Sequence, residues 1–218
     1  MIKAFIFDLD GTLLNTIVTI THYVNLTLAY VGLSPISEEE CKMFVGNGAR
    51  KLITRALASR GVTDAETVER ALLYYNSKYD ADSLYLTSPY NGIPEMLGAL
   101  SERGIRLAVL SNKPDSATKP IIAGFFPGLF DIVEGGRDGV PLKPDPHALK
   151  DIMEKLSVSE SEVVYVGDTG VDMQTGKNAG VARTVGVSWG FRSRDELTSC
   201  GADVIYDSAA DLLGEADG

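Results

Sequence analysis

The stretch "FIFDLDGTLLN", Phe5–Asn15, sets two aspartates one residue apart at the end of an apolar run. Like charges at close range raise each other's energy, so Asp8 and Asp10 at a buried strand end imply a positive partner between them. Where that partner comes from depends on what the rest of the chain brings to the same place.

Outward from this strand, short β-rich runs recur at Ile105–Leu110, Phe130–Val133, Val163–Val166, Ala182–Val187 and Asp203–Ile205. Most are bounded by Gly, Pro or Asp, the punctuation of buried strands. From Gly92 onward they alternate with helical patterns at Ile93–Arg103, Asp115–Ala123, Pro146–Leu156, Val171–Ala179, Asp195–Ser199 and Ala209–Leu213. Alternation of this kind predicts an α/β fold: a Rossmann-like, doubly wound parallel sheet with helices on both faces.

Between Leu14 and about Ser88 the alternation stops. Consecutive helices are expected near Thr16–Val31, Ser37–Phe44, Ala49–Ser59 and Asp64–Tyr79, with a capping-box spacing at Ser37 and Glu40 and a second helix start at Asp64. An all-helical block inserted after the first strand predicts a separate cap. The expected division is a core of residues 1–14 and 88–218 and a cap of residues 15–87, with Tyr85–Tyr90 as the return linker and Leu84–Leu86 the first strand-like run after Leu14. Neither repeats nor low-complexity tracts interrupt the pattern.

At 218 residues and 44% hydrophobic composition the chain can bury a real core. Cys41 and Cys200 stand far apart and form no C-x-x-C, which fits two free thiols in a reducing cytoplasm. Met1-Ile2-Lys3 leads straight into a strand without a signal-peptide pattern, and no apolar run has membrane-spanning length. A net charge of −10 argues against nucleic acid or an anionic membrane as partner. An anionic substrate must therefore be attracted by local positive charge against the field of the whole protein.

Ligands of parallel α/β sheets bind beyond the carboxyl ends of the strands. There the sequence places Asp8, Asp10, Gly11 and Thr12 after the first strand, and Ser111, Asn112 and Lys113 after the second. The Gly135–Gly139 loop and Lys143-Pro144-Asp145-Pro146 follow the third; Gly167, Asp168, Thr169 and Asp172 follow the fourth. Four carboxylates at one rim call for a cation, and Mg²⁺ takes hard oxygen ligands from a few carboxylates plus a substrate phosphate. Asp8 and Asp168 are the expected carboxylate ligands, with a backbone carbonyl near Asp10. Asp172, one turn from Asp168, lies on the same face as a ligand or an anchor. Lys143 completes the positive pocket, and Ser111, the amides near Asn112 and the Gly11–Thr12 turn cradle phosphate oxygens.

The opening pair then acquires roles. Asp8, directly at the strand end, is placed to attack phosphorus and form an aspartyl-phosphate. Asp10, two residues on, is placed to protonate the departing oxygen and then to deprotonate the hydrolytic water.

"DLDGTL" at Asp8–Leu13, "LSNK" at Leu110–Lys113, "KPDP" at Lys143–Pro146 and "GDTGVD" at Gly167–Asp172 resemble the four motifs of the haloacid dehalogenase-like hydrolases, in order. The resemblance implies Asp8 as nucleophile, Asp10 as acid/base, Ser111 and Lys143 on the phosphate, Asp168 with Asp8 and Asp10 on Mg²⁺, and the helical insert as that family's cap. "VGNGARKLITRAL" at Val45–Leu57, "GGRDGVPLKPDPHAL" at Gly135–Leu149 and the tail "WGFRS" with "DVIYDSAADLL" are similar to the phosphoglycolate phosphatases. Asn15 and Arg137 depart from the commoner acidic residues. The similarity implies a small anionic phosphorylated metabolite, 2-phosphoglycolate first, with the Gly46-Asn47-Gly48 turn against the substrate and Arg50 on its carboxylate.

Sugar phosphomutase, pyrophosphatase and nucleotidase activities belong to the same fold, and a phospho-aspartate signalling receiver is the non-enzymatic alternative. The receiver fails on layout, because it carries no helical insert. Lys113 is expected in a surface or structural role, His22 and His147 are isolated, and Trp189 and the Tyr74–Tyr85 segment are expected to pack a core or the cap junction. Both monomer and homodimer are compatible with the sequence.

Overall fold

The computed structural model describes residues 1–217. In chain order they form β1 (Ala4–Phe7), β2 (Leu14–Asn15), α1 (Ile17–Tyr30), α2 (Glu38–Phe44), α3 (Ala49–Ala58), α4 (Ala65–Ala81), β3 (Ser88–Pro89), α5 (Ile93–Glu102) and β4 (Arg106–Pro114). There follow α6 (Asp115–Phe125), β5 (Ile132–Gly136), α7 (His147–Leu156), β6 (Val163–Gly167), α8 (Gly170–Ala179), β7 (Arg183–Val187), α9 (Arg194–Ser199) and β8 (Val204–Tyr206). The last segment, Ala209–Asp217, is 3₁₀ rather than the α-helix its pattern suggests.

Six parallel strands run in the order β5-β4-β1-β6-β7-β8. β1 is central, pairing Phe7 with Val109 of β4 and with Val166 of β6. Its alternation serves two cores, because successive side chains point to opposite faces. Phe5 and Phe7 pack with Ile93, Leu97, Ile121 and Ile122 of α5 and α6, whereas Ala4 and Ile6 pack with Leu149, Ile152 and Met153 of α7. Chain connections leave β1 toward opposite sides of the sheet, so the crevice beyond its carboxyl end is the switch point where such sheets bind ligands.

The interval after β1 is helical as expected. Ser37 and Glu40 make the reciprocal capping box of α2, and the Asp64 side chain accepts the Thr67 N–H at 2.8 Å to start α4. α1 packs on α4 and α2, and α3 packs on the same two helices. The buried face of α4 carries Val68, Ala71, Leu72, Tyr75 and Tyr79. The chain leaves and re-enters the sheet at one place, where β2 pairs antiparallel with β3 through Leu14–Pro89 and Asn15–Ser88. Leu84–Leu86 is a turn rather than a strand, with Leu86 at φ 57. It is pinned to α1, where Thr19 Oγ1 donates to Tyr85 O at 2.6 Å and Tyr23 Oη donates to Asp82 O at 2.9 Å.

Candidate active site

The apolar residues of β1 hold a polar one at its end. Asp8 donates its backbone N–H to Val166 O at 2.9 Å, which extends the β1–β6 ladder by one residue and fixes where its side chain emerges. The next residues turn tightly, with the N–H groups of Thr12, Leu13 and Leu14 all directed at Leu9 O. Gly11 makes the turn possible twice over. Its φ of +89 lies in the left-handed region, and a Cβ there would sit 2.2 Å from Asp168 Oδ2.

Four elements converge on Asp8. Lys143, from the loop before α7, has a side chain only 3% exposed; its Nζ donates to Asp8 Oδ1 at 2.7 Å and to Asp172 Oδ1 at 2.6 Å. Asn112 on β4 clamps the backbone of that lysine, accepting Lys143 N–H at 2.9 Å and donating to Lys143 O at 3.1 Å. Asp172 is placed by the start of α8: Thr169 caps the helix and donates its Oγ1 proton to Asp172 Oδ2 at 2.6 Å, while Tyr165 Oη donates to Asp172 Oδ1 at 3.2 Å. Gly167 admits this approach, since a Cβ there would lie 2.2 Å from Asp172 Cβ. Asp168 accepts the Phe191 N–H at 2.7 Å on Oδ2 and the Thr12 hydroxyl at 3.3 Å on Oδ1.

Carboxylate oxygens of Asp8, Asp168 and Asp172 lie within 4.8 Å of one another, all buried. One lysine against three carboxylates leaves the cluster negative, in a place where unpaired charge is costly. Burial, together with the Asp172 carboxylate, pushes Asp8 up to about 7. Burial and then Asp8 and Asp172 hold Asp168 well above the usual carboxylate range. Burial alone would lower Lys143, but Asp172 and Asp8 outweigh it and keep the ammonium well above its ordinary value.

The site opens into a cavity bordered by Asp8, Asp10, Ser111, Asn112, Lys113 and Lys143 from the sheet side. Gly46 and Gly48 border it from the helical insert, and Tyr75, Asn76, Tyr79 and Asp80 from α4. The two sides are joined by hydrogen bonds. Asn112 Nδ2 donates to Gly46 O at 3.0 Å, and Arg192 donates to Val45 O at 3.2 Å and to Lys42 O.

The structure places the expected residues unevenly around the cavity. Thr12 spends its hydroxyl on Asp168 and, like Gly11, does not border the cavity. The side-chain amide of Asn112 is fully used by Lys143 and Gly46. Asn47 is off the cavity wall, and Arg50 forms an exposed ion pair with Glu69 instead of facing it. Asp10 stands outside the carboxylate cluster, its two oxygens 3.0 and 2.9 Å from Lys113 Nζ. Lys113, expected in a surface or structural role, is not at the surface: its side chain is 7% exposed and its ammonium lies over the Tyr79 ring at 4.6 Å. The wall residues Tyr75, Asn76, Tyr79 and Asp80 were missed because a helical apolar stripe looks alike whether it meets a core or a cavity. Asn76 and Asp80, four apart beside that stripe, are the trace the sequence carries.

This arrangement agrees with what the chain resembles as a whole. The family model described as haloacid dehalogenase-like hydrolase matches residues 5–187. A phosphoglycolate phosphatase from Rhodospirillum rubrum is 38% identical over 97% of this chain and 90% of its own length. Another from Cereibacter sphaeroides is 40% identical over 95% of this chain and 96% of its own. A crystal structure of a proposed phosphoglycolate phosphatase from Lactobacillus delbrueckii subsp. bulgaricus superposes with a TM-score of 0.93 at 32% identity, covering 98% of this chain and 97% of that one. The chain belongs to the haloacid dehalogenase-like hydrolases, in their phosphoglycolate phosphatase-like branch. It is a phosphatase.

Proposed function

We propose that this phosphatase is Mg²⁺-dependent, acts on a small soluble phosphate monoester, 2-phosphoglycolate first, and works through an aspartyl-phosphate on Asp8. One observation carries the reading. Asp8 is anchored through Oδ1 by Lys143 while Oδ2 has no hydrogen-bond partner among the described residues, and the residue borders the cavity that Asp10 also borders. The names of the relatives support the substrate.

The donor set fits a divalent cation: buried, hard carboxylate oxygens whose one lysine leaves them undercompensated. Asp8 and Asp168 would hold Mg²⁺, together with a main-chain oxygen near Asp10. Asp172, whose two oxygens already serve Thr169, Tyr165 and Lys143, anchors the lysine. The ion, when bound, neutralises phosphate oxygens and the carboxylates around it.

Asp8 attacks phosphorus, forming a carboxylate–phosphorus bond as the bond to the ester oxygen breaks. Asp10 gives that oxygen a proton, then takes one from the water that hydrolyses the acyl phosphate. Ser111 accepts the Lys113 N–H at 3.2 Å, which leaves its own hydroxyl proton to donate to a phosphate oxygen beside Lys143. Residues 15–87 act as a cap: closure over the site, held by Asn112 and Arg192, excludes water until the leaving group is protonated. Two cysteines without a disulfide accord with work in the cytoplasm.

Purified protein is expected to release phosphate from phosphoglycolate with Mg²⁺ and to stop in EDTA. Ranking phosphoglycolate, pyrophosphate, sugar phosphates and nucleotides by kcat/KM tests the substrate. An isomeric sugar phosphate in place of free phosphate would show a mutase.

The cluster also makes stability depend on pH and metal. A carboxyl raised from 3.8 to about 7 binds, between those values, a proton that the unfolded chain has lost. Stability of the metal-free protein therefore falls as pH rises through that window. Mg²⁺ should raise Tm far more at pH 7.5 than at pH 5, by roughly 5 °C or more at the higher pH for a chain of this size. Thermal unfolding with EDTA or Mg²⁺ at both pH values measures this, and an equal metal effect at the two would contradict it.

A further inference from the structure

Lys113 occupies the site without a task in the steps above. Its side chain is buried, and its ammonium lies over the Tyr79 ring and holds both oxygens of Asp10. Ordering a flexible lysine away from water costs side-chain entropy and hydration, so the position calls for a reason.

Charge supplies one. Lys113 and Lys143 are the cations that border the cavity. Lys143 is committed to Asp8 and Asp172, Arg50 to Glu69 on the outside, and Arg192 to the carbonyls that end α2. Asp80 borders the same wall and forms no ion pair among the described residues. Among the described residues, Lys113, paired with the single carboxylate of Asp10 on the cavity border, is therefore the cation that can turn to a negative group of the substrate besides its phosphate without releasing Asp8.

Substrate connectivity says where such a group falls. In phosphoglycolate a single methylene joins the ester oxygen to the carboxylate. The acid that protonates the ester oxygen must touch it, so a cation bonded to that acid is within reach of a carboxylate one carbon further on. We infer that Lys113 is the specificity-determining residue: its ammonium passes from Asp10 to the substrate's carboxylate, selecting monoesters with an anionic group beside the leaving oxygen. Ile20, Leu52 and Tyr75 border this cavity with apolar surface, which strengthens a charge pair by keeping water away.

The inference rests on the proposed reading of the reaction, and the test separates the two. Lys113→Met and Lys113→Arg are compared with wild type on phosphoglycolate and on ethyl phosphate, which carries a methyl in place of the carboxylate. The readout is the ratio of the two kcat/KM values, which cancels any loss both substrates share through Asp10. Wild type should prefer phosphoglycolate. In Lys113→Met the ratio should fall about 100-fold, the order set by losing a charged hydrogen bond, mainly through KM for phosphoglycolate. Lys113→Arg should stay within about 10-fold of wild type because the charge is kept. Residual turnover of ethyl phosphate shows that the Met variant is folded. A preference that survives in Lys113→Met overturns this inference alone and leaves Lys113 as a prop for Asp10. A wild-type enzyme with no preference overturns the substrate reading and this inference together.

Discussion

Replacing Asp8 with Asn should abolish phosphate release, with kcat falling by at least about 10⁴-fold, as when other covalent nucleophiles are removed. The amide keeps the shape of the carboxylate and its bond to Lys143 while lacking the anionic oxygen that attacks phosphorus. The same change should not cost stability. Asp8 is pushed up to about 7 by burial and by Asp172, so above that pH the folded protein carries a charge it would be more stable without. The metal-free variant should melt above the wild type at pH 7.5, the gap closing toward pH 5 where Asp8 is already neutral. Steady-state phosphate release and thermal melts at the two pH values test both halves. Wild-type turnover in Asp8→Asn would remove the covalent mechanism.

Lys143→Met should have the opposite effect on stability. Removing the ammonium leaves Asp8 and Asp172 buried beside Asp168 without their counter-charge. Breaking one partner out of a buried ion pair costs about 3–5 kcal/mol, and that is the loss expected at pH 7.5. At pH 5 the penalty should shrink, because Asp8, raised to about 7 by burial and by Asp172, takes up a proton and relieves the repulsion. Turnover should collapse as well, since the phosphate loses a positive partner and Asp8 its anchor. Urea unfolding at the two pH values measures the stability term. A small, pH-independent change would mean that Lys143 is a solvated loop residue.

Much of the fold could be read from the chain because its signals are local. The apolar run of β1, the Ser37–Glu40 box, the helix start at Asp64 and the Gly-bounded strands each act within a few residues, and each is found where expected. The candidate site is half local. Asp8 and Asp168 stand just past strand ends, Ser111 sits in the C-terminal half of β4 and Lys143 in the loop before α7, and parallel pairing brings such positions to one rim whatever lies elsewhere. Arg50 and Lys113 show the limit. Both are basic residues beside a candidate loop, and their sequence neighbours do not distinguish them. Arg50 meets Glu69, a partner chosen by how α3 packs on α4. Lys113 meets Asp10 and Tyr79, residues from a strand end and from the insert.

The sequence by itself determined the order of strands and helices, the insert after β1 and the residue types at the sheet's rim, because periodicity, capping and turn chemistry are properties of neighbouring residues. Only the tertiary structure decided which charge meets which. Lys143 reaches Asp8 across 135 positions and Lys113 reaches Asp10 across 103. At such separations the pairing is set by how the helices pack on the sheet and which groups burial then forces together.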